Sequence, residues 1–125
     1  MTEQRVLVVD DDGYGQEVVS KMLQFHHIEA DMASSAEEAL AKMRDYAYNL
    51  IVIDLALPKM DGWSLLQHIR EKPDWATLPC VAITAYHDAT VARDALKAGF
   101  TAYMAKPLQT SFAHHLMQFL RDYSS

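Results

Sequence analysis

Apolar and polar positions follow two different periods along this chain. Val6-Leu7-Val8-Val9, Leu50-Ile51-Val52-Ile53 and Cys80-Val81-Ala82-Ile83 are short continuous apolar runs. Each reads as a strand covered on both faces. Ile28, Ala30 and Met32 alternate with Glu29 and Asp31, the pattern of a half-buried strand at a sheet edge. Ala102 to Ala105 reads as a short last strand. Between these runs the period lengthens to that of a helix. Tyr14 to Phe25 gathers Val18, Val19, Met22 and Leu23 on one side. Ser35-Ala-Glu-Glu38 is a capping box that opens a helix to about Tyr46, with Ala36, Ala39, Leu40 and Met43 as its stripe. A loop from Leu55 to Gly62 leads into a helix around Trp63 to Arg70. Asp88 caps and Gly99 ends another helix, whose expected inner side is Val91, Ala92, Ala95 and Leu96. Thr110 caps a final helix, with Phe112, Leu116, Phe119, Leu120 and Tyr123 on its apolar side and His115, Gln118, Arg121 and Asp122 on its polar side.

Strands alternating with helices imply an α/β fold, a parallel sheet with helices on both faces. In such sheets ligands bind at the carboxyl ends of the strands. That rule collects residues far apart in sequence. Asp10, Asp11 and Asp12 follow the first strand, Asp54 follows the third, Thr84 ends the fourth and Lys106 ends the fifth.

The stretch Val6 to Gln16, VLVVDDDGYGQ, admits three chemistries: a nucleotide-phosphate loop, a metal site, or an acidic helix cap. The dinucleotide loop fails, because Val18 stands where a third glycine is needed and three carboxylates would repel a pyrophosphate. The metal reading is stronger. Two carboxylates about 5 Å apart repel by roughly 3 kcal/mol at an effective dielectric of about 20, and a hard divalent cation relieves that repulsion. All-oxygen ligands favour Mg²⁺ over zinc. Asp12 reads as a cap rather than a ligand. Lys106 adds a cation at the same rim and Thr84 a hydroxyl donor. Together these groups describe a phosphoryl-binding site with a carboxylate nucleophile.

Composition narrows the field further. The 125 residues suit one domain spanning 1–125, and half hydrophobic with 22% charged suits a globular protein. No run is long enough for a membrane span or a signal peptide. Cys80 is the sole cysteine, expected as a buried thiol, and leaves no intrachain disulfide or cysteine-rich zinc site. A cytoplasmic setting follows by default. The net charge of −6 arises from 11 basic and 17 acidic residues, with the basic ones scattered. Without a cationic stripe, direct nucleic-acid binding is not expected. The adjacent pairs His26-His27 and His114-His115 lack the spacing of a zinc helix.

Four stretches taken together resemble the response-regulator receiver domain of two-component signalling: Val6-Leu-Val-Val-Asp-Asp-Asp12, Ile53-Asp-Leu-Ala-Leu-Pro-Lys-Met-Asp-Gly62, Ile83-Thr-Ala85 and Lys106-Pro107. The resemblance covers nearly the whole chain. It implies a flavodoxin-like fold of five βα units, a three-layer sandwich with strand order 2-1-3-4-5. It also implies that Asp54 accepts phosphate from the phosphohistidine of a histidine kinase or phosphotransfer protein. Asp10 and Asp11 would be the acidic pair for Mg²⁺, with Asp11 the more direct ligand and the backbone carbonyl of Ala56 a further one. Lys106 would pair with the phosphoryl group, with a cis bond to Pro107. Thr84 and Tyr103 would be the switch residues. The downstream partner, a target protein or a second copy, would bind the face of the fourth helix, fifth strand and fifth helix. Two positions depart from the family's pattern: Ala56, where a longer side chain is frequent, and the bulky Tyr86.

Two other readings compete. Asp10-Asp-Asp12 also fits the opening motif of haloacid-dehalogenase-like phosphatases, but that reading leaves Asp54 without a role. A receiver-like binding module that never takes phosphate is the other.

Overall fold

The computed structural model describes residues 4–85, 88–106, 115, 116, 118 and 121. Five strands alternate with helices: β1 (Arg5–Val9), α1 (Gly13–Phe25), β2 (Glu29–Ala33), α2 (Ala36–Asp45), β3 (Leu50–Asp54), α3 (Gly62–Glu71), β4 (Cys80–Thr84), α4 (Ala89–Ala98) and β5 (Ala102–Ala105). All strand pairings are parallel and the order is β2-β1-β3-β4-β5. The expected architecture and strand order are therefore both present.

Parallel strands alternate their side chains between two helical layers. Leu7, Val9, Ile51, Ile53 and Ala82 point to one face and pack with Ala39, Met43, Leu65, Ile69 and Ala95 of α2, α3 and α4. Val6, Val8, Leu50, Val52, Val81 and Ile83 point to the other and pack with Val19 and Leu23 of α1 and with Leu116. Covering both faces is what makes β1, β3 and β4 read as unbroken apolar runs. β2 has one neighbour and stays half-exposed, as an edge strand should.

Helix ends follow the side chains that satisfy their free N–H groups. The Ser35 hydroxyl accepts from Glu38 N–H, Asp61 from Ser64 N–H and Asp88 from Val91 N–H. Gly99 takes the left-handed conformation that ends α4, with φ of 115°. A 3-10 turn, Pro73–Trp75, which the apolar period gave no sign of, links α3 to β4.

One expectation is overturned. Leu96 does not lie on the inner side of α4; it is 55% exposed, while Ala95 is fully buried and Val91 and Ala98 pack on the core. The buried stripe thus runs along 91, 95 and 98, the i, i+4, i+7 row, and Leu96 falls about 100° away from Ala95. Residues 115, 116, 118 and 121 are helical, with Leu116 buried and His115, Gln118 and Arg121 exposed, as the sequence suggested. Tyr86, Pro107 and its cis bond, the Thr110 cap, His114, and Phe112, Phe119, Leu120, Asp122 and Tyr123 lie outside the described residues.

Candidate functional site

The carboxyl end of the sheet gathers the polar residues. Asp10 follows β1, Asp54 closes β3, Thr84 closes β4, and these three are the buried polar or charged residues of the described chain. The register sets Val9 beside Ile53, Asp54 beside Ile83, and Thr84 beside Ala105. Beyond the strand ends the backbone pairing continues: Leu55 N–H donates to Ile83 O at 2.9 Å and Lys106 N–H to Thr84 O at 2.9 Å. Three strand ends thereby lie side by side, and Lys106 is delivered to the rim beside Thr84.

Ligand oxygens of Asp10, Asp11 and Asp54 all lie within 4.8 Å of one another. Asp10 and Asp54 are buried and Asp11 is exposed, so the cluster opens to solvent on the Asp11 side. Lys106 Nζ donates to Asp10 Oδ2 at 2.9 Å and to Asp54 Oδ2 at 3.1 Å, with its side chain 19% exposed. Each buried carboxylate has its second oxygen held by the backbone. Asp12 N–H donates to Asp10 Oδ1 at 3.0 Å, and Ala56 N–H donates to Asp54 Oδ1 at 2.9 Å. The charges are thus partly compensated and fixed in direction.

Burial dominates at Asp10 and pushes its carboxyl pKa up, against the lowering effect of the Asp12 N–H and Lys106. Burial works the other way on Lys106, but its bonds to Asp10 and Asp54 outweigh it and the ammonium pKa is raised. An excess of negative charge held in a half-closed space, with one cation on a flexible stem, suits a divalent cation and an anion bound together. The donor set is all oxygen, so it fits Mg²⁺. Gly15 contributes room: a Cβ there would stand 3.3 Å from both Asp10 Oδ2 and Asp12 Oδ2. That explains a glycine in the first turn of a helix, where it is otherwise unfavourable by about 1 kcal/mol. The helix forms from Gly13 regardless, one residue earlier than its period suggested, with Gln16 N–H bonded to Asp12 O at 2.9 Å.

The sequence-selected residues divide as follows. Asp10, Asp11, Asp54 and Lys106 converge. Thr84 is buried at the adjoining strand end, and Ala56 is exposed two residues past Asp54. Tyr103 packs against the core from β5, and its hydroxyl is buried with no hydrogen-bond partner among the described residues. Burial, then the charge of Asp88, raises the Tyr103 pKa. Asp12 is exposed and is not one of the three converging carboxylates.

Two contributors were not legible from residue type. Gly62 opens α3 so close to β3 that a Cβ would stand 2.4 Å from Asp54 O and 2.8 Å from Leu55 Cα. Gln16 reaches back from α1, its side-chain amide donating to Asp10 O and, at 3.2 Å, to Ala33 O. The only sequence signal for the first was the Asp61-Gly62 pair beside a helix start. Gln16 had none.

A family model described as the response regulator receiver domain matches residues 6–118. An uncharacterized 14.6 kDa protein from Leptolyngbya boryana is 36% identical over 108 residues, covering 86% of this chain and 82% of that one. The osmosensing histidine protein kinase SLN1 of Saccharomyces cerevisiae is 32% identical over 114 residues, but this chain spans only 9% of its length. A CheY-like receiver domain protein from Methanospirillum hungatei is similar in structure, with a TM-score of 0.88, 28% identity, and coverage of 98% of this chain and 97% of that one.

Proposed function

This chain belongs to the response regulator receiver family, and on that premise we propose that Asp54 is its phosphoacceptor and that Asp10, Asp11, Asp54 and the Ala56 carbonyl hold Mg²⁺. The chain is a phosphoacceptor signalling domain of two-component type. Relatives that are parts of histidine kinases connect it with phosphorelay. The observation that carries the assignment to Asp54 is the Lys106 ammonium shared between Asp10 Oδ2 and Asp54 Oδ2.

In the proposed reaction an Asp54 carboxylate oxygen attacks the phosphorus of a partner's phosphohistidine. The new O–P bond forms as the N–P bond breaks, and the imidazole keeps the electron pair. Mg²⁺, when bound, supplies charge neutralisation for the phosphoryl oxygens. The Ala56 N–H holds Asp54 Oδ1 in place throughout. The Lys106 ammonium can shift from Asp54 Oδ2 to a phosphoryl oxygen, because its four-carbon stem is flexible. The Thr84 hydroxyl donates to another phosphoryl oxygen. Catalysis here is positioning and electrostatics, so the chain works as a regulator that assists its own phosphorylation rather than as an enzyme.

The output reading rests on Tyr103 and α4. Among the described residues the buried Tyr103 hydroxyl has no hydrogen-bond partner, which leaves its ring a candidate to move when Thr84 moves. Leu96, exposed on α4, offers an apolar contact for a target protein or a second copy on the face of α4, β5 and the helix after it. A cytoplasmic setting with a histidine kinase or phosphotransfer protein as donor agrees with this chemistry.

Intact-mass measurement with acetyl phosphate and Mg²⁺ tests the assignment. The parent should gain one phosphoryl group, EDTA should prevent it, and Asp54→Asn should gain none. Undiminished labelling of Asp54→Asn would move the nucleophile to Asp10 or Asp12.

A further inference from the structure

Phosphoacceptor chemistry does not account for Gln16, the residue after the two glycines that follow the aspartates. Gln16 lies in the first turns of α1, and its side chain turns back toward the sheet. Its amide nitrogen donates to Asp10 O, to Ala33 O at 3.2 Å and to Ser34 Oγ at 3.3 Å. Two of these acceptors are carbonyls, which accept only, so the nitrogen end of the side chain must face them. The amide therefore ties the end of β1 to the β2–α2 junction, on the side of β1 away from Asp54.

The Asp10 carbonyl is the important partner. Asp10 N–H still belongs to the sheet, donating to Ala33 O at 3.0 Å, but the chain then leaves β1. The Asp10 carbonyl and the Asp11 nitrogen share one rigid peptide plane. Fixing that carbonyl fixes the plane and with it the Asp11 N–Cα bond, the axis about which the Asp11 Cα–Cβ bond is carried. The Asp10 carboxylate is already held independently by Asp12 N–H and Lys106. Asp11, exposed and on the open side of the cluster, is the carboxylate whose aim depends most on the loop backbone.

We propose that Gln16 is a positioning residue for the metal site: by holding the Asp10 carbonyl it orients the Asp10–Asp11 peptide, and through it the Asp11 carboxylate, for a divalent cation. This rests on the reading of Asp10, Asp11 and Asp54 as a Mg²⁺ site. Gln16 touches no reacting atom, so its removal should weaken metal binding without changing the reaction once metal is bound.

The experiment is Mg²⁺ titration by calorimetry, with no phosphodonor present, on the parent, Gln16→Met, Gln16→Ala, Ser34→Ala and Asp11→Asn. Met keeps the length of Gln and lacks the donor. Removing groups that orient metal ligands typically weakens affinity by 10- to 100-fold, so both Gln16 variants should bind Mg²⁺ about tenfold more weakly. The Asp11 amide resonance should move in them before metal is added, since that N–H lies in the released plane. Ser34→Ala should bind within twofold of the parent. Labelling of Asp54 by acetyl phosphate should return to the parental maximum at saturating Mg²⁺. Parental Mg²⁺ affinity in a folded Gln16→Met or Gln16→Ala overturns the proposal, as does a lowered labelling maximum at saturation. If neither variant folds, the parent decides: fast solvent exchange of the Gln16 side-chain amide protons, showing no lasting hydrogen bonds, would overturn it. An Asp11→Asn affinity equal to the parent's would instead remove the metal-site reading, and this proposal with it.

Discussion

Gly62→Ala should damage both the fold and the site, although it adds one methyl group at the start of a helix. The added Cβ would stand 2.4 Å from Asp54 O and 2.8 Å from Leu55 Cα, and both are backbone atoms that cannot rotate away. Ordinary contact begins near 3.4 Å, so α3 or the end of β3 must retreat by about 1 Å. Overpacking of this kind costs about 1–3 kcal/mol. The Gly62 N–H bond to Leu55 O, 3.1 Å long, is strained by the same movement and adds roughly 1 kcal/mol. Alanine's better helix propensity offsets at most about 1 kcal/mol. The net expectation is a loss of about 2–3 kcal/mol, read as a lower urea midpoint at unchanged slope. A shift of about 1 Å at Asp54, the proposed phosphoacceptor, should also slow its acetyl-phosphate labelling by about 100-fold. Gly13→Ala is the control, because a Cβ there meets nothing within 4 Å; it should stabilise by about 0.5–1 kcal/mol. A Gly62→Ala protein within about 0.5 kcal/mol of the parent and labelled at the parental rate would refute the reasoning, since about 0.5 kcal/mol is what an uncrowded surface change produces.

Lys106→Met should cost about 3–5 kcal/mol in EDTA, because it strips the counterion from two buried carboxylates; urea unfolding should show part of the loss restored by Mg²⁺, and no loss in EDTA would mean the ammonium does not hold the pair. Burial raises the Cys80 pKa from its ordinary 9.0 to about 11. The folded state therefore keeps a proton that the unfolded chain releases, so this contribution to stability is constant below pH 9 and falls as pH rises toward 11, by roughly 3 kcal/mol in total. The gap in unfolding free energy between parent and Cys80→Ala, followed from pH 7 to 11, should change by about that amount, and parallel curves would contradict the burial of the thiol.

The fold was largely legible because its main signal is local. Continuous apolar runs at β1, β3 and β4, alternation at β2, and side-chain caps at Ser35 and Asp88 each state their element within a few residues. Alternation then implied a parallel sheet, and a parallel sheet puts Asp10, Asp54, Thr84 and Lys106 at one edge. What remained hidden depends on distances between segments. Nothing near Gly62 reveals that Asp54 O will lie where its Cβ would be, and nothing near Gln16 says that its amide will meet Ala33 O. Leu96 was misplaced for a related reason. In a helix with several small apolar residues, period alone leaves the inner row ambiguous, and the row through Val91, Ala95 and Ala98 is selected only by the core it meets.

The bridge from Lys106 to Asp10 and Asp54 spans 96 and 52 residues of sequence, and that separation matters while the chain is being made. At about 5–20 residues per second, roughly 3–10 s pass between synthesis of Asp54 and synthesis of Lys106. Throughout that interval the nascent chain carries the three aspartates without the cation that balances them, so closing β1 against β3 brings like charges together uncompensated. A free divalent cation such as Mg²⁺ would be the counterion for the half-built sheet. The last strand supplies the permanent one, and a chain that has not docked β5 cannot present Asp54 with Lys106 beside it. Assembly of the acidic rim with its cation is thus tied to docking of the last strand.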